Sequence, residues 1–186
     1  IVYKGYNALE PPILSGGKKV TGWQEGENGI YSAHLPDVAD MRQLYIDGCV
    51  AQRAQCKYTY TGIGYWDDPE TDYTAEDGIV FARANFPVFS KPQDAEMVSN
   101  LLWTNQRTPI KDVVYTEDYA IVKFDQPYFY WHRTKSMSGT NPAMGTACYF
   151  ENSMDFLDEA GEFYFDKDSG ILYLIPYDTD LKEDTF

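Results

Sequence analysis

Short apolar runs broken by turn signals dominate this chain. Gly16-Gly17, Asn28-Gly29, Asp47-Gly48, Asp77-Gly78, Ser138-Gly139 and Ser169-Gly170 punctuate it, and the runs between them are rich in β-branched and aromatic residues. That pattern predicts strands over residues 2–6, 19–23, 29–35, 43–47, 49–53, 78–82, 112–115, 119–124, 148–151, 162–166 and 171–175. The fold class expected is all-β: an antiparallel β-sandwich or barrel-like module with one or two short helices. The clearest element is the hairpin GEFYFDKDSGILYLIP. Its two runs flank Lys167-Asp168-Ser169-Gly170, and Gly170 can adopt the left-handed conformation that closes a type I turn with a bulge.

Two stretches depart from the period of two. Residues 94–103, DAEMVSNLLW, place Met97 and Leu101, and likewise Val98 and Leu102, four apart, with Pro92 and Asp94 as start signals, so the stretch is ambiguous and can be read as a helix. Residues 152–157 suit one helical turn. Two further segments, 58–77 and 131–145, read as long loops, the places where a β scaffold carries function.

Composition adds a bias toward recognition. The 186 residues suit one domain with a short appendage, and a chain of this size can bury about 70% of its unfolded surface without disulfides or metal. Aromatic residues make up 16% of the chain, with 16 Tyr, 10 Phe and 4 Trp. Tyr and Trp pair an apolar face with a polar tip, which suits wet interfaces. The net charge of −14 repels phosphate backbones, anionic membranes and anionic polysaccharides, and leaves neutral polymers open. No apolar run reaches the roughly 20 residues that span a bilayer. The strand-like start, IVYKGY, with neither initiator Met nor leader, is read as that of a mature or excised segment. Three cysteines (Cys49, Cys56, Cys148) without a CxxC pair, and two histidines, make a zinc site or a disulfide framework unexpected.

Three patches carry a family resemblance: ILSGGKKVTGW at 13–23, RQLYIDGCVAQRAQ at 42–55, and CYFENSMDFLDEAGEFYFDKDSGILYLIPYD at 148–178. Together they resemble the N-terminal part of secreted right-handed parallel β-helix glycoside hydrolases of β-xylosidase-like type, which act on plant cell-wall sugars. The resemblance implies that the first coils of a β-helix are interrupted by a β-sandwich-like domain. On that basis residues 1–22 are lead-in strands or a β-helix edge, 23–178 the inserted module, and 179–186 a linker to a missing C-terminal part. It also implies a secreted, bacterial protein whose catalytic acids lie outside this chain, so no catalytic residue is assigned.

Sugar rings offer apolar C–H faces to aromatic rings, and hydroxyls to carboxylates, amides and Arg. Two clusters fit. One is YFYWHR, giving Tyr128, Tyr130, Trp131 and Arg133. Read as a strand, it places Tyr128 and Tyr130 on one face and Phe129 and Trp131 on the other. The other is Tyr65 and Trp66 beside Asp67 and Asp68. Trp23 and Trp103 sit in periodic runs and read as core; Trp66 and Trp131 lie beside loops and read as ligand contacts. Glu151, Asp158 and Glu162 could pair for glycoside hydrolysis, but 29 acidic residues guarantee chance pairs. A structural hydrogen bond is the simpler role for Glu162. No cofactor is expected. Calcium is conceivable in the acidic run 67–72, where a solvated loop is the simpler account, and 166–170 lacks the downstream Glu of a calcium loop.

The function expected is a non-catalytic carbohydrate-binding module that recognises neutral β-glycans such as xylan, xyloglucan or β-glucan by ring stacking. Its partners would be that polysaccharide and the rest of the parent enzyme, with no nucleic acid or membrane. The rivals are a structural insert that braces the β-helix and walls its cleft, and a self-contained glycosidase.

Overall fold

A computed structural model describes residues 15–66, 78–100, 104–134 and 146–177. In chain order its strands are β1 (Gln24–Glu25), β2 (Tyr31–His34), β3 (Tyr45–Ile46), β4 (Cys49–Val50), β5 (Gln52–Arg53), β6 (Tyr60–Thr61), β7 (Gly64–Trp66), β8 (Gly78–Ala82), β9 (Glu96–Asn100), β10 (Asn105–Tyr115) and β11 (Tyr119–Phe124). Helix α1 (Tyr128–Thr134) follows, then β12 (Ala147–Glu151), β13 (Glu162–Asp166) and β14 (Ile171–Leu174). The strands form a five-stranded sheet ordered β1-β2-β14-β13-β5, a seven-stranded sheet ordered β6-β12-β9-β10-β11-β8-β7, and a two-stranded ribbon, β3-β4. Pairing is antiparallel except between β13 and β5.

The larger sheet curls into a half-barrel, and β10 makes the corner. Its residues 105–109 pair with β9, and its residues 110–115 pair with β11, with an irregularity between Ile110 and Asp112. Pro109 sits at the changeover. It has no N–H to give, and its carbonyl accepts from the Asp125 N–H at 3.0 Å.

Strands β13 and β14 divide the interior. Phe163, Phe165, Leu172 and Leu174 face a cluster with Leu35, Leu44, Ile46 and Ala51, beneath the ribbon. Tyr164 and Tyr173 point the other way, into the concave face of the half-barrel. Alternation at period two thus buries both faces of one sheet. Phe150 is the hub of the concave side, with ring centroids of Phe81, Phe86 and Phe89 at 5.8, 5.4 and 5.4 Å in edge-on geometry. Each such pair adds about 0.5–1.5 kcal/mol beyond burial.

The all-β architecture is as the sequence predicts, and β8, β11 and β13 begin and end where expected. Gly170 has φ +66° and its N–H bonds the Asp166 carbonyl at 2.9 Å, closing the last hairpin. Residues 154–156 form one 3-10 turn, capped by Ser153. Four expectations are corrected. Residues 96–100 form strand β9, not a helix; Glu96, Met97, Val98 and Ser99 are all buried, and a run buried on both faces loses the alternation that marks a strand. Residues 128–134 form a helix, not a strand. Residues 19–23 lie outside any strand, and β1 begins at Gln24. The expected loop 58–77 contains β6 and β7. The predicted strand 2–6, Trp103, and the loop residues 135–145 fall outside the described residues.

Candidate functional site

Helix α1 starts just after Pro127, a residue suited to a first helical turn. The Phe129 N–H bonds the Asp125 carbonyl at 3.2 Å, the Tyr130 N–H the Gln126 Oε1 at 3.1 Å, and the Trp131 N–H the Pro127 carbonyl at 3.0 Å. With i, i+3 spacing, Phe129 and His132 turn inward. The Phe129 ring stacks on Phe124 at 4.8 Å and meets Tyr65 edge-on at 6.4 Å. His132 is 1% exposed, and its Nδ1 lies 2.7 Å from Thr108 Oγ1 on β10. Burial lowers its pKa to about 4, so the ring is neutral at pH 7.

The same spacing turns Tyr128 and Trp131 outward. They are 48% and 43% exposed and touch edge-on with centroids 5.8 Å apart. Tyr130, also exposed, lies off that line. Arg133 reaches back across the helix, its guanidinium 4.2 Å from the centroid of Tyr65. The two clusters singled out in the sequence therefore meet: Tyr128, Trp131 and Arg133 on α1, and Tyr65 on β7. Trp66 is half-buried beside Gly78, where an added Cβ would fall 3.5 Å from the Trp66 Cβ and 2.9 Å from the Val122 carbonyl oxygen. Asp67 and Asp68 lie outside the described residues. Trp23 is half-buried against the cluster beneath the ribbon.

The carboxylates are committed elsewhere. Glu96 on β9 and Glu151 on β12 sit directly opposite each other, an arrangement that repels when unbridged. Arg53 Nη1 bridges them, 2.7 Å from Glu96 Oε2 and 2.8 Å from Glu151 Oε1. Arg42 grips Glu96 with two bonds of 2.9 and 2.7 Å, and Arg107 Nε meets Glu151 Oε1 at 2.9 Å. Burial works to raise the Glu96 pKa, but the bonds from Arg42 and Arg53 win and hold it below the carboxylate range. Arg53 Nε and Nη2 are buried without a hydrogen-bond partner. Glu162 Oε2 accepts the N–H groups of Asp158 and Glu159, both at 3.2 Å, the structural role the sequence suggested. Burial pushes its pKa up, against those bonds.

In the last hairpin, the Lys91 ammonium lies 2.6 Å from Asp166, 2.9 Å from Asp168 and 3.0 Å from Asp94. A lysine stands where a cation would. Among the described residues, no group of three or more His, Cys, Asp or Glu is placed to hold a metal ion. The three cysteines are free thiols, Cys49 exposed and the others buried.

What sequence reasoning missed is the anchor of the aromatic edge, the Thr108–His132 contact and Phe129 beneath it. The signal was present: Pro127 as a helix opener, and Phe129 and His132 three apart.

Residues 29–177 match the family model of the GH141 insertion domain. The chain belongs to that family. It is thus an accessory domain of a glycoside hydrolase. Its fold is similar to that of a solved structure described as a glycoside hydrolase, with a TM-score of 0.69 and 24% identity, over 91% of this chain and 30% of that one. The chain therefore spans about a third of that protein's length. No curated protein matches it.

Proposed function

We propose that this insertion domain is a non-catalytic module that helps its parent glycoside hydrolase engage neutral plant β-glycans, such as xylan, xyloglucan or β-glucan. The parent in this reading is a secreted bacterial β-helix enzyme of β-xylosidase-like type. The observation that carries the proposal is the exposed Tyr128–Trp131 pair, fixed from below by Phe129 and His132 and flanked by the Arg133–Tyr65 stack. A rigid aromatic edge offers faces for sugar C–H groups and phenol and indole tips for hydroxyls. The charge of −14 turns the choice toward neutral polymers. In native affinity gels containing xylan, xyloglucan or mixed-linkage β-glucan, the chain is expected to be retarded, and Trp131→Ala to abolish the retardation. Free migration in all three gels would overturn the proposal. Turnover of aryl glycosides by the isolated chain well above background would favour a self-contained glycosidase instead.

A second reading is that the domain braces the body of its parent. The apolar outer face of the β3–β4 ribbon favours it, since Tyr45 and Val50 are both exposed there.

A further inference from the structure

We infer that the outer face of the β3–β4 ribbon is the seat on which the body of the parent glycoside hydrolase packs, through a dry contact centred on Tyr45 and Val50. The inference rests on the bracing reading and goes further by naming the surface. Tyr45 and Val50 are direct cross-strand partners, so their side chains lie side by side on one face. They are 45% and 60% exposed. The ribbon pairs with neither large sheet, and a lone two-stranded ribbon is marginal in water. Its other side is firmly seated: Leu44, Ile46 and Ala51 are buried over β13 and β14, and the Ala51 N–H bonds the Leu44 carbonyl at 2.8 Å.

Chemistry and connectivity select the occupant. Val50 has no polar tip, so this pair suits a protein surface, whereas the Tyr and Trp of α1 suit a hydrated ligand. An insertion domain has a host on both sides of it in sequence, and the similar glycoside hydrolase keeps about 70% of its length beyond the matched part. Val20 and Trp23, which lead into β1, pack on the same cluster that the ribbon covers. The strand that ends the domain, β14, is separated from β1 only by β2. Residues 20–23 therefore run on the ribbon's side of the five-stranded sheet.

The test uses the full-length parent enzyme. In a Cys49→Ser, Val50→Cys background, maleimide labelling read by peptide mass is expected to be slower by about tenfold or more than at Tyr58→Cys, since a covered thiol reacts only when exposed. Tyr58 is an exposed residue (68%) away from the ribbon. As a second measurement, Tyr45→Asp with Val50→Asp should lower the Tm of the parent and leave that of the isolated chain unchanged. Equal labelling at the two positions would overturn the inference, as would equal Tm changes in parent and chain. A parent that labels freely at position 50, yet loses stability when the whole domain is removed, eliminates this seat while leaving the bracing reading standing.

Discussion

The Arg53 lattice and the α1 edge both gather groups able to work on a sugar, and they are built on opposite terms. In the lattice, Glu96 and Glu151 are buried and engaged by Arg42, Arg53 and Arg107, and they tie β9 and β12 to β5 and to the segment before β3. At the α1 edge, the groups that anchor the helix, Phe129 and His132, are buried, while Tyr128 and Trp131 present themselves to solvent. A carboxylate already held by guanidinium groups inside the fold is poorly placed for proton transfer to a substrate. An aromatic ring fixed from beneath is well placed for stacking. Function on this scaffold therefore sits where anchoring and presentation fall to different residues.

The lattice should show the larger effects on stability. Arg53→Met leaves two carboxylates facing each other across adjacent strands with their bridge gone. Breaking a buried ion pair from one side costs about 3–5 kcal/mol. Urea unfolding at pH 7 should show a loss of that size, and adding Glu151→Gln should restore much of it, because the repulsion goes with the charge. A loss under 1 kcal/mol for Arg53→Met would mean that the lattice is not what joins these strands.

The α1 anchor should show itself through pH. His132 titrates near 4 in the folded chain, below the unfolded value of about 6.5. The unfolded state therefore takes up the proton first. The stability tied to the neutral ring is fully present above pH 6.5 and is lost as pH falls toward 4, with a slope approaching ~1.4 kcal/mol per pH unit and a total of roughly 3 kcal/mol at pH 4. Denaturant melts from pH 7 to 4 should show this slope in the wild type, and a shallower one in His132→Gln. Parallel curves for the two would show that the histidine does not hold the helix.

How much of this was legible in the sequence depends on how each residue is used. The hairpin at 162–174 was readable, although both its faces are buried, because clear turn residues separate two runs of strand-favouring aromatic and aliphatic residues. Two of the patches that carried the family resemblance prove to be structural pins. Arg42 and Arg53 of the second patch reach Glu96 and, from Arg53, Glu151 of the third. Next to it, Asn152 takes φ +61° and donates from Nδ2 to the Asp94 carbonyl at 2.8 Å. Asp47 and Gly48, with φ +49° and +80°, close the ribbon, as Asp-Gly predicts. Strand β9 was misread because burial on both faces erases the period of two, and α1 because YFYWHR has the composition of a strand. Contact between Arg133 and Tyr65 was beyond reach, since nothing local relates positions 68 residues apart.

Glu162 gives an intermediate effect. It accepts two N–H groups from the turn that leads into β13. Glu162→Ala strands both donors in a part-buried turn, a loss of about 1–3 kcal/mol. Glu162→Gln keeps one acceptor oxygen and should fall between Ala and wild type in chemical denaturation. If Gln and Ala were equal, the carboxylate's charge rather than its hydrogen bonds would be what matters there.

The smallest change in stability should accompany the largest change in binding. Trp131 is 43% exposed and meets the Tyr128 ring edge-on. Exposed substitutions away from caps and buried networks usually stay within about 0.5 kcal/mol. Trp131→Ala should therefore melt close to wild type while losing retardation on neutral glycans, and Trp131→Phe should keep part of that retardation because a ring remains. Trp66→Ala, which truncates a half-buried ring, should cost more stability than Trp131→Ala. If Trp131→Ala instead destabilised the fold as much as Trp66→Ala and left retardation unchanged, the α1 edge would belong to the core like the lattice, and the contrast between anchoring and presenting residues would fail where it is sharpest.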